Sequence, residues 1–264
     1  FNLMSEAINR NIDDYKQIVG NLTHEIKTPL TSIIGYAELL KNHECDRELQ
    51  EQALDYILEE GKRLNSITRK MIKLSRIQPG LLNIERQDVK KMLETSLMAV
   101  RMKAGQKQIH FTSDIPEGIF CYGDREFLIT MMENVLDNAI KASHEGGVIE
   151  VRAAGEGGAL AYIQVTDHGI GIPADILDKI DQPFFKGDKA HSQGGDGFGM
   201  GLAICKSVMQ HHHGSLKYES VVGEYTTVTM RFPAADYLRL ESPEQTDQVK
   251  KDSLWVYEAS NIIR

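Results

Sequence analysis

At 264 residues, with 41% hydrophobic and 26% charged residues, the chain is long enough to bury a sizeable core and suggests two domains or one large one. A formal net charge of −8 offers no long-range attraction for nucleic acid or an anionic lipid surface, so neither is expected as a partner. Cys45, Cys121 and Cys205 are isolated thiols without C-x-x-C spacing, which argues against a disulfide framework, and no apolar run approaches the roughly 18 residues that span a bilayer.

From Ile8 to Leu40 apolar residues recur at spacings of three and four, including Ile12, Val19, Leu22, Ile26 and Ile33, which predicts a long amphipathic helix. The chain begins at Phe1-Asn2-Leu3-Met4 as if in mid-helix, so residues 1–7 read as the end of an upstream helix in a longer protein. A polar turn at 42–47 leads to a second helical pattern from Leu49 to Leu74. So short a loop makes the two helices antiparallel, and a lone hairpin leaves half its apolar stripe wet. Residues 8–77 are therefore expected to dimerise into a four-helix bundle.

Gln78-Pro79-Gly80 stops the second helix, with 78–81 as a linker. Beyond it the periodicity is mixed. Strands are expected at 82–86 and 109–112, and helices capped by Asp88 and Asp124 run to about Gln106 and Ser143. A hairpin is expected over 148–166, turning at Gly155-Glu156-Gly157-Gly158. A helix over Leu202–His211 and a second hairpin over Leu216–Phe232 complete an α/β sandwich spanning 82–233. The tail, 234–264, is mostly polar and is expected to be partly disordered.

The long first helix carries Asn21-Leu22-Thr23-His24-Glu25-Ile26-Lys27-Thr28-Pro29-Leu30. His24 lies beside the apolar stripe rather than on it, so it should reach solvent with a ring nitrogen free to attack an electrophile. Glu25 can accept the proton of the other ring nitrogen, and Thr28, one turn on, can hold a water near the ring. Pro29 removes the hydrogen bond to the carbonyl of Glu25 and bends the helix. This string resembles the phosphoacceptor box of the sensor histidine kinases of two-component systems.

Four further clusters suit a nucleotide. On the helix after Asp124, Asn134, Asn138 and Lys141 share one face; the Asn138 amide oxygen suits Mg²⁺ and Lys141 can meet a phosphate. Asp167, at a strand end, can accept from an adenine amino group, and Gly169 and Gly171 let backbone approach the base. Phe184, Phe185 and Lys186 can anchor one end of a lid, whose polar stretch 187–195 is expected to be floppy without nucleotide. Gly197, Gly199, Met200, Gly201 and Leu202 open a helix whose freed backbone N–H groups can wrap a polyphosphate.

The order of these clusters resembles the Bergerat (GHKL) ATP-binding fold of histidine kinases, type II topoisomerases, the ninety-kilodalton heat-shock chaperone and mismatch-repair ATPases. With the histidine box ahead of it, the match to the kinases covers residues 5–233. The resemblance implies an N-box at Asn134, Asn138 and Lys141, glycine boxes at Asp167–Gly171 and Gly197–Gly201, and Thr226 beside the adenine. Tyr225 stands where the family shows the second glycine of G-x-G-T. It implies further that His24 takes the γ-phosphoryl group of Mg·ATP and passes it to an aspartate on a separate response regulator receiver domain. His-Glu-x-x-Thr also implies the reverse phosphatase activity through Thr28.

Residues 1–4 resemble the exit of a HAMP signal-relay domain, which would make the chain the cytoplasmic part of a membrane-anchored homodimeric sensor. The alternatives are a GHKL-type ATPase and an ATP-binding scaffold without phosphotransfer. Against the ATPase, Asn134 occupies the place of the water-activating glutamate, and Glu133 is rotated about 100° away. His211-His212-His213 is read as a helix-stop segment rather than a metal site.

Overall fold

The computed structural model describes residues 2–77, 81–157, 159–185 and 199–233, with side chains from residue 20 onward except that of Glu156. The expectations for most of the 78–81 linker, for Lys186, Gly197 and the 187–195 stretch, and for the 234–264 tail lie outside these residues. The chain divides into two compact units, one drawn from residues up to 81 together with 172–207, the other from 82–171 together with the chain from 208 onward.

In the first unit α1 (Asn2–Asn42) and α2 (Arg47–Arg76) form the expected hairpin, each somewhat longer than the apolar pattern that predicts it. Asp46 begins α2 by accepting the N–H of Leu49 at 2.8 Å, and Lys73 and Arg76 complement the dipole of the last turn. Their antiparallel register is fixed by Tyr36 stacking on Tyr56, ring centroids 4.8 Å apart, and by Glu25 of α1 facing Arg63 of α2. Ala53 and Ile67 are fully buried, whereas Leu30, Ile34, Leu54, Leu58 and Ile72 stand about half exposed. The hairpin alone therefore cannot cover its own apolar surface.

In the second unit a seven-stranded sheet is built around β5 (Ala159–Asp167). One edge of β5 pairs antiparallel with β4 (Val148–Glu156), which pairs in parallel with β2 (His110–Asp114). Its other edge meets β7 (Tyr225–Arg231) antiparallel over Tyr162–Asp167, and β3 (Phe120–Gly123) in parallel at Ala159. β1 (Glu85–Asp88) and β6 (Ser215–Val221) pair with β3 and β7. Two helices, α3 (Val89–Gln106) and α4 (Arg125–Ala142), pack on each other, and α4 packs on β5. Between them lie Leu93, Leu128, Met131, Leu136, Ile149 and Ile163, all at 0% exposure. Each such side chain contributes about 1.5–3 kcal/mol by leaving water.

Asp88 and Asp124 cap α3 and α4 as expected, accepting N–H groups of Lys91 and of Glu126 and Phe127. Two strands depart from expectation. The first begins at Glu85 rather than Leu82, and β3 is an additional four-residue strand. Short, partly polar strands carry almost no alternation of their own, so their place is set by pairing. The last helix, α5, runs Gly201–His211. It ends on His213, which takes a left-handed φ of 56°, with the N–H of Gly214 donating to the carbonyl of Met209 at 2.8 Å.

Candidate phosphoacceptor and nucleotide sites

His24 is exposed on α1, and Pro29, five residues on, is buried inside the same helix. Proline leaves the Glu25 carbonyl without its helical donor, and three hydroxyls around it bond back to main-chain carbonyls of the same helix. Thr28 Oγ1 donates to the carbonyl of His24 at 3.3 Å, Thr31 to that of Lys27 at 2.9 Å and Ser32 to that of Thr28 at 3.4 Å. Such back-bonding bends helices. Glu25 is half-buried, and its carboxylate stands 3.9 Å from Arg63, which also lies 3.7 Å from Glu60. One guanidinium thus serves two carboxylates across the hairpin, a tie that sequence reasoning missed because it joins residues on different helices.

The second unit assembles the adenine-type corner. Asp167 closes β5 and is paired in register with Thr226 on β7, so the two side chains share a face. Both are 5% exposed. Asp167 Oδ1 accepts from Gly169 N–H at 3.1 Å; no other side-chain hydrogen bond reaches its carboxylate among the described residues. Burial pushes this carboxyl up to about 6, only partly offset by the Gly169 amide. The Thr226 hydroxyl lies 3.0 Å from that of Ser220, and Ser220 Oγ donates to the Tyr225 carbonyl at 2.8 Å. Tyr225 therefore enters this turn through its backbone.

The glycines of this corner have a reason beyond ligand approach. A Cβ on Gly169 would meet the Ala142 carbonyl at 2.1 Å, and one on Gly171 the Val221 carbonyl at 2.2 Å, with φ +65° as well. Ile170 bridges the same neighbours, its N–H donating to Ala142 O and its carbonyl accepting from Gly223 N–H. The 167–171 loop is thereby clamped between the end of α4 and the β6–β7 turn.

On α4, Asn134 and Asn138 are half-buried one turn apart. Asn134 Nδ2 donates to the Thr130 carbonyl at 3.0 Å, while the Asn138 amide has no hydrogen-bond partner among the described residues. Lys141 Nζ instead lies 2.7 Å from Asp137 Oδ2, and Lys103 of α3 holds Asp137 Oδ1 at 2.5 Å. Burial raises the Asp137 carboxyl, but the two lysines outweigh it and hold it below its ordinary value. The Asp137–Lys141 spacing of four was legible as a helical ion pair; the contribution of Lys103 was not. The C-terminus of α4 is fixed by Lys107, whose ammonium donates to the carbonyls of Ile140, Lys141 and Ser143 at 3.1, 2.9 and 3.1 Å.

In the first unit the two ends of the predicted lid meet. Phe184 N–H donates to Gly199 O at 2.9 Å, and Gly199, at φ +64°, leaves no room for a Cβ beside the Phe185 carbonyl. Phe185, Gly201 and Leu202 are half-buried and Met200 is buried at 1% exposure. These donors fit an adenine nucleotide with its cation. Asp167 has acceptor capacity for an amino group, and Asn138 offers a free, hard amide oxygen of the kind Mg²⁺ prefers. His212 is excluded as a ligand because both ring nitrogens are committed, one to Asp124 N–H and one to Val208 O.

An antiparallel helical hairpin with an exposed histidine, in one chain with an α/β sandwich that carries Asn134, Asn138, Gly169 and Gly171, defines a two-domain histidine kinase core. The chain matches the family model of the His Kinase A (phospho-acceptor) domain over residues 14–80 and that of the histidine kinase-, DNA gyrase B- and HSP90-like ATPase over 123–236. It belongs to the sensor histidine kinases of two-component signalling. It is 33% identical to the sensor-like histidine kinase SenX3 of Mycobacterium tuberculosis over 234 residues, 87% of this chain and 57% of SenX3. To the sensor histidine kinase WalK of Bacillus subtilis it is 29% identical over 222 residues, 83% of this chain and 36% of WalK. The chain thus spans about half the length of such relatives, or less. Among solved structures it is similar in fold to the histidine kinase ThkA in complex with the response regulator protein TrrA (TM-score 0.68, 21% identity, 87% of this chain and 64% of that one). It is also similar in fold to the Acinetobacter baumannii histidine kinase AdeS (TM-score 0.56, 18% identity, 80% and 98%).

Proposed function

We propose that this chain phosphorylates itself on His24 at the expense of ATP and passes the phosphoryl group to an aspartate on a separate response regulator. The observation that carries the proposal is the exposed His24 on α1, beside the buried Pro29, within the matched phosphoacceptor domain of a chain that also carries the ATPase-type domain. A ring nitrogen of His24 attacks the γ-phosphorus in line; an N–P bond forms, the bond from γ-phosphorus to the bridging oxygen breaks, and ADP leaves. The ring proton is lost to a base, for which Glu25 stands next in sequence. Asp167 orients the base of the nucleotide, Thr226 lines the same corner, and Lys141 meets the phosphates. Mg²⁺, held by Asn138, would supply charge neutralisation on the phosphate oxygens.

Asn134 favours phosphotransfer over hydrolysis, since an amide donating to its own helix cannot deprotonate water. Thr28 supports a phosphatase activity toward the phosphorylated regulator, as an exposed hydroxyl one turn from His24. The half-exposed Leu30, Ile34, Leu54, Leu58 and Ile72 support a homodimer that covers them in a four-helix bundle. No helix among the described residues is long and apolar enough to cross a membrane.

Incubation with γ-labelled ATP and Mg²⁺ tests the proposal. Acid-labile, base-stable label that disappears in His24→Gln is expected, with transfer to a receiver domain on mixing. Rapid phosphate release without bound label would establish an ATPase instead, and nucleotide binding with neither would establish a scaffold.

A further inference from the structure

Lys141 is the cation that the proposed site offers to the phosphates, yet in this structure its charge is engaged by Asp137, one turn back on α4. The same carboxylate is held from α3 by Lys103. We propose that Lys103 is a positioning residue for nucleotide binding: it keeps Asp137 neutralised so that Lys141 can leave for the phosphates. The proposal rests on the reading of Lys141 as a phosphate partner.

The burial of the three side chains sets the direction. Asp137 keeps 21% of its side-chain surface, against 46% for Lys141 and 62% for Lys103. The carboxylate is the partner least able to recover hydration, so leaving it without a cation is the costly step. Without Lys103, Lys141 must either stay on Asp137 or abandon a half-buried anion beside an arriving polyphosphate. With Lys103 in place, Asp137 keeps one ammonium throughout and competes less for Lys141. Lys103 therefore acts on the nucleotide through Asp137, without needing to touch it.

A role in stability alone makes removal of Lys103 and of the Asp137 charge act in the same direction. The positioning role makes them opposite in sign. Binding of a non-hydrolysable ATP analogue with Mg²⁺, followed calorimetrically on variants whose melting confirms folding, separates the two. Lys103→Met is expected to weaken binding about two- to fivefold, the range of an exposed ion pair, and Lys103→Arg to restore it. Asp137→Asn is expected to tighten binding, and adding Lys103→Met to Asp137→Asn to change nothing further. Should Lys103→Met leave affinity unaltered, weaken it equally in the Asp137→Asn background, or Asp137→Asn itself weaken it, the positioning role is overturned. Lys141→Met is the separate control: if it does not weaken binding, the phosphate reading of Lys141 falls and the proposal falls with it.

Discussion

The main-chain N–H of Asp124 donates to Nε2 of His212, 88 residues further along the chain, at 2.9 Å. The other ring nitrogen of His212 donates to the Val208 carbonyl at 2.7 Å, fixing the tautomer. The side chain of Asp124 meanwhile accepts from Asn83 N–H and caps α4. One aspartate thus joins the entry to β1, the start of the helix that carries Asn134 and Asn138, and the turn after α5. Gly123 makes room for this arrangement, since a Cβ there would lie 2.6 Å from Leu128 and 2.8 Å from the His212 ring.

Replacing His212 by Leu should destabilise the fold by about 1–3 kcal/mol, because the part-buried Asp124 N–H loses its acceptor while the Val208 carbonyl keeps only the main-chain N–H of residue 212. Burial holds His212 below its unfolded value of 6.5. Its neutral form therefore contributes stability that is present above pH 6.5 and is lost as pH falls below it, while the unfolded chain takes up a proton. Denaturant melts across that range should show an acid-side decline in the wild type that His212→Leu flattens. An equal slope in both would refute the assignment.

Asp167 has the opposite sign. Its carboxyl is raised by burial from 3.8 to about 6, so the stability of its protonated form is complete below pH 3.8 and is lost as pH rises through about 6. Asp167→Asn should consequently melt higher than the wild type at pH 7.5, by about 1–3 kcal/mol, with the gap closing toward pH 4. The same variant should bind ATP about tenfold or more weakly, because an amide NH₂ can replace the acceptor facing the amino group. A variant both less stable and unimpaired in binding would remove Asp167 from the site.

Gly171→Ala combines a left-handed φ of +65° with a Cβ 2.2 Å from a carbonyl oxygen, whereas Gly223, at φ +80°, has nothing within 4 Å of its Cβ position. Gly223→Ala should cost about 1 kcal/mol, the strain alone. Gly171→Ala should cost about 2–4 kcal/mol, since the 167–171 loop must also move. Chemical denaturation of the pair separates steric from conformational cost, and equal losses would contradict the clamp.

Thr28→Ala removes a hydroxyl that is exposed and, among the described residues, bonded only to its own helix at 3.3 Å. Stability should change by less than about 0.5 kcal/mol. Labelling of His24 should persist, while dephosphorylation of the phosphorylated regulator slows about tenfold or more, in line with loss of one water-positioning group. Intact phosphatase activity in this variant would reject that role.

The helices and their starts were legible because their causes are local. Asp88 and Asp124 each accept the amide groups of the first turn they precede, and the spacing of Leu22, Ile26 and Ile33 marks the inner face of α1. β3 and the start of β1 were not, because four residues with a short partner carry too little alternation to declare a face. The candidate site divides in the same way. The choice of His24, Asn138 and Asp167 follows from residue chemistry and order. The claims on Glu25 by Arg63, and on Asp137 by Lys103, come from other helices.

By itself, then, the sequence determined the helical hairpin, the sandwich and the identity of the chemical groups, since periodicity, caps and glycine spacing are properties of neighbouring residues, and its motifs carried the resemblance to the sensor histidine kinases. Tertiary structure alone decided which of those groups are already engaged. It set Asp167 opposite Thr226, packed Gly169 and Gly171 against carbonyls, and placed Lys103 on Asp137. Ion pairs and close backbone approaches form between segments far apart in the chain, and their energies depend on burial that no local pattern encodes.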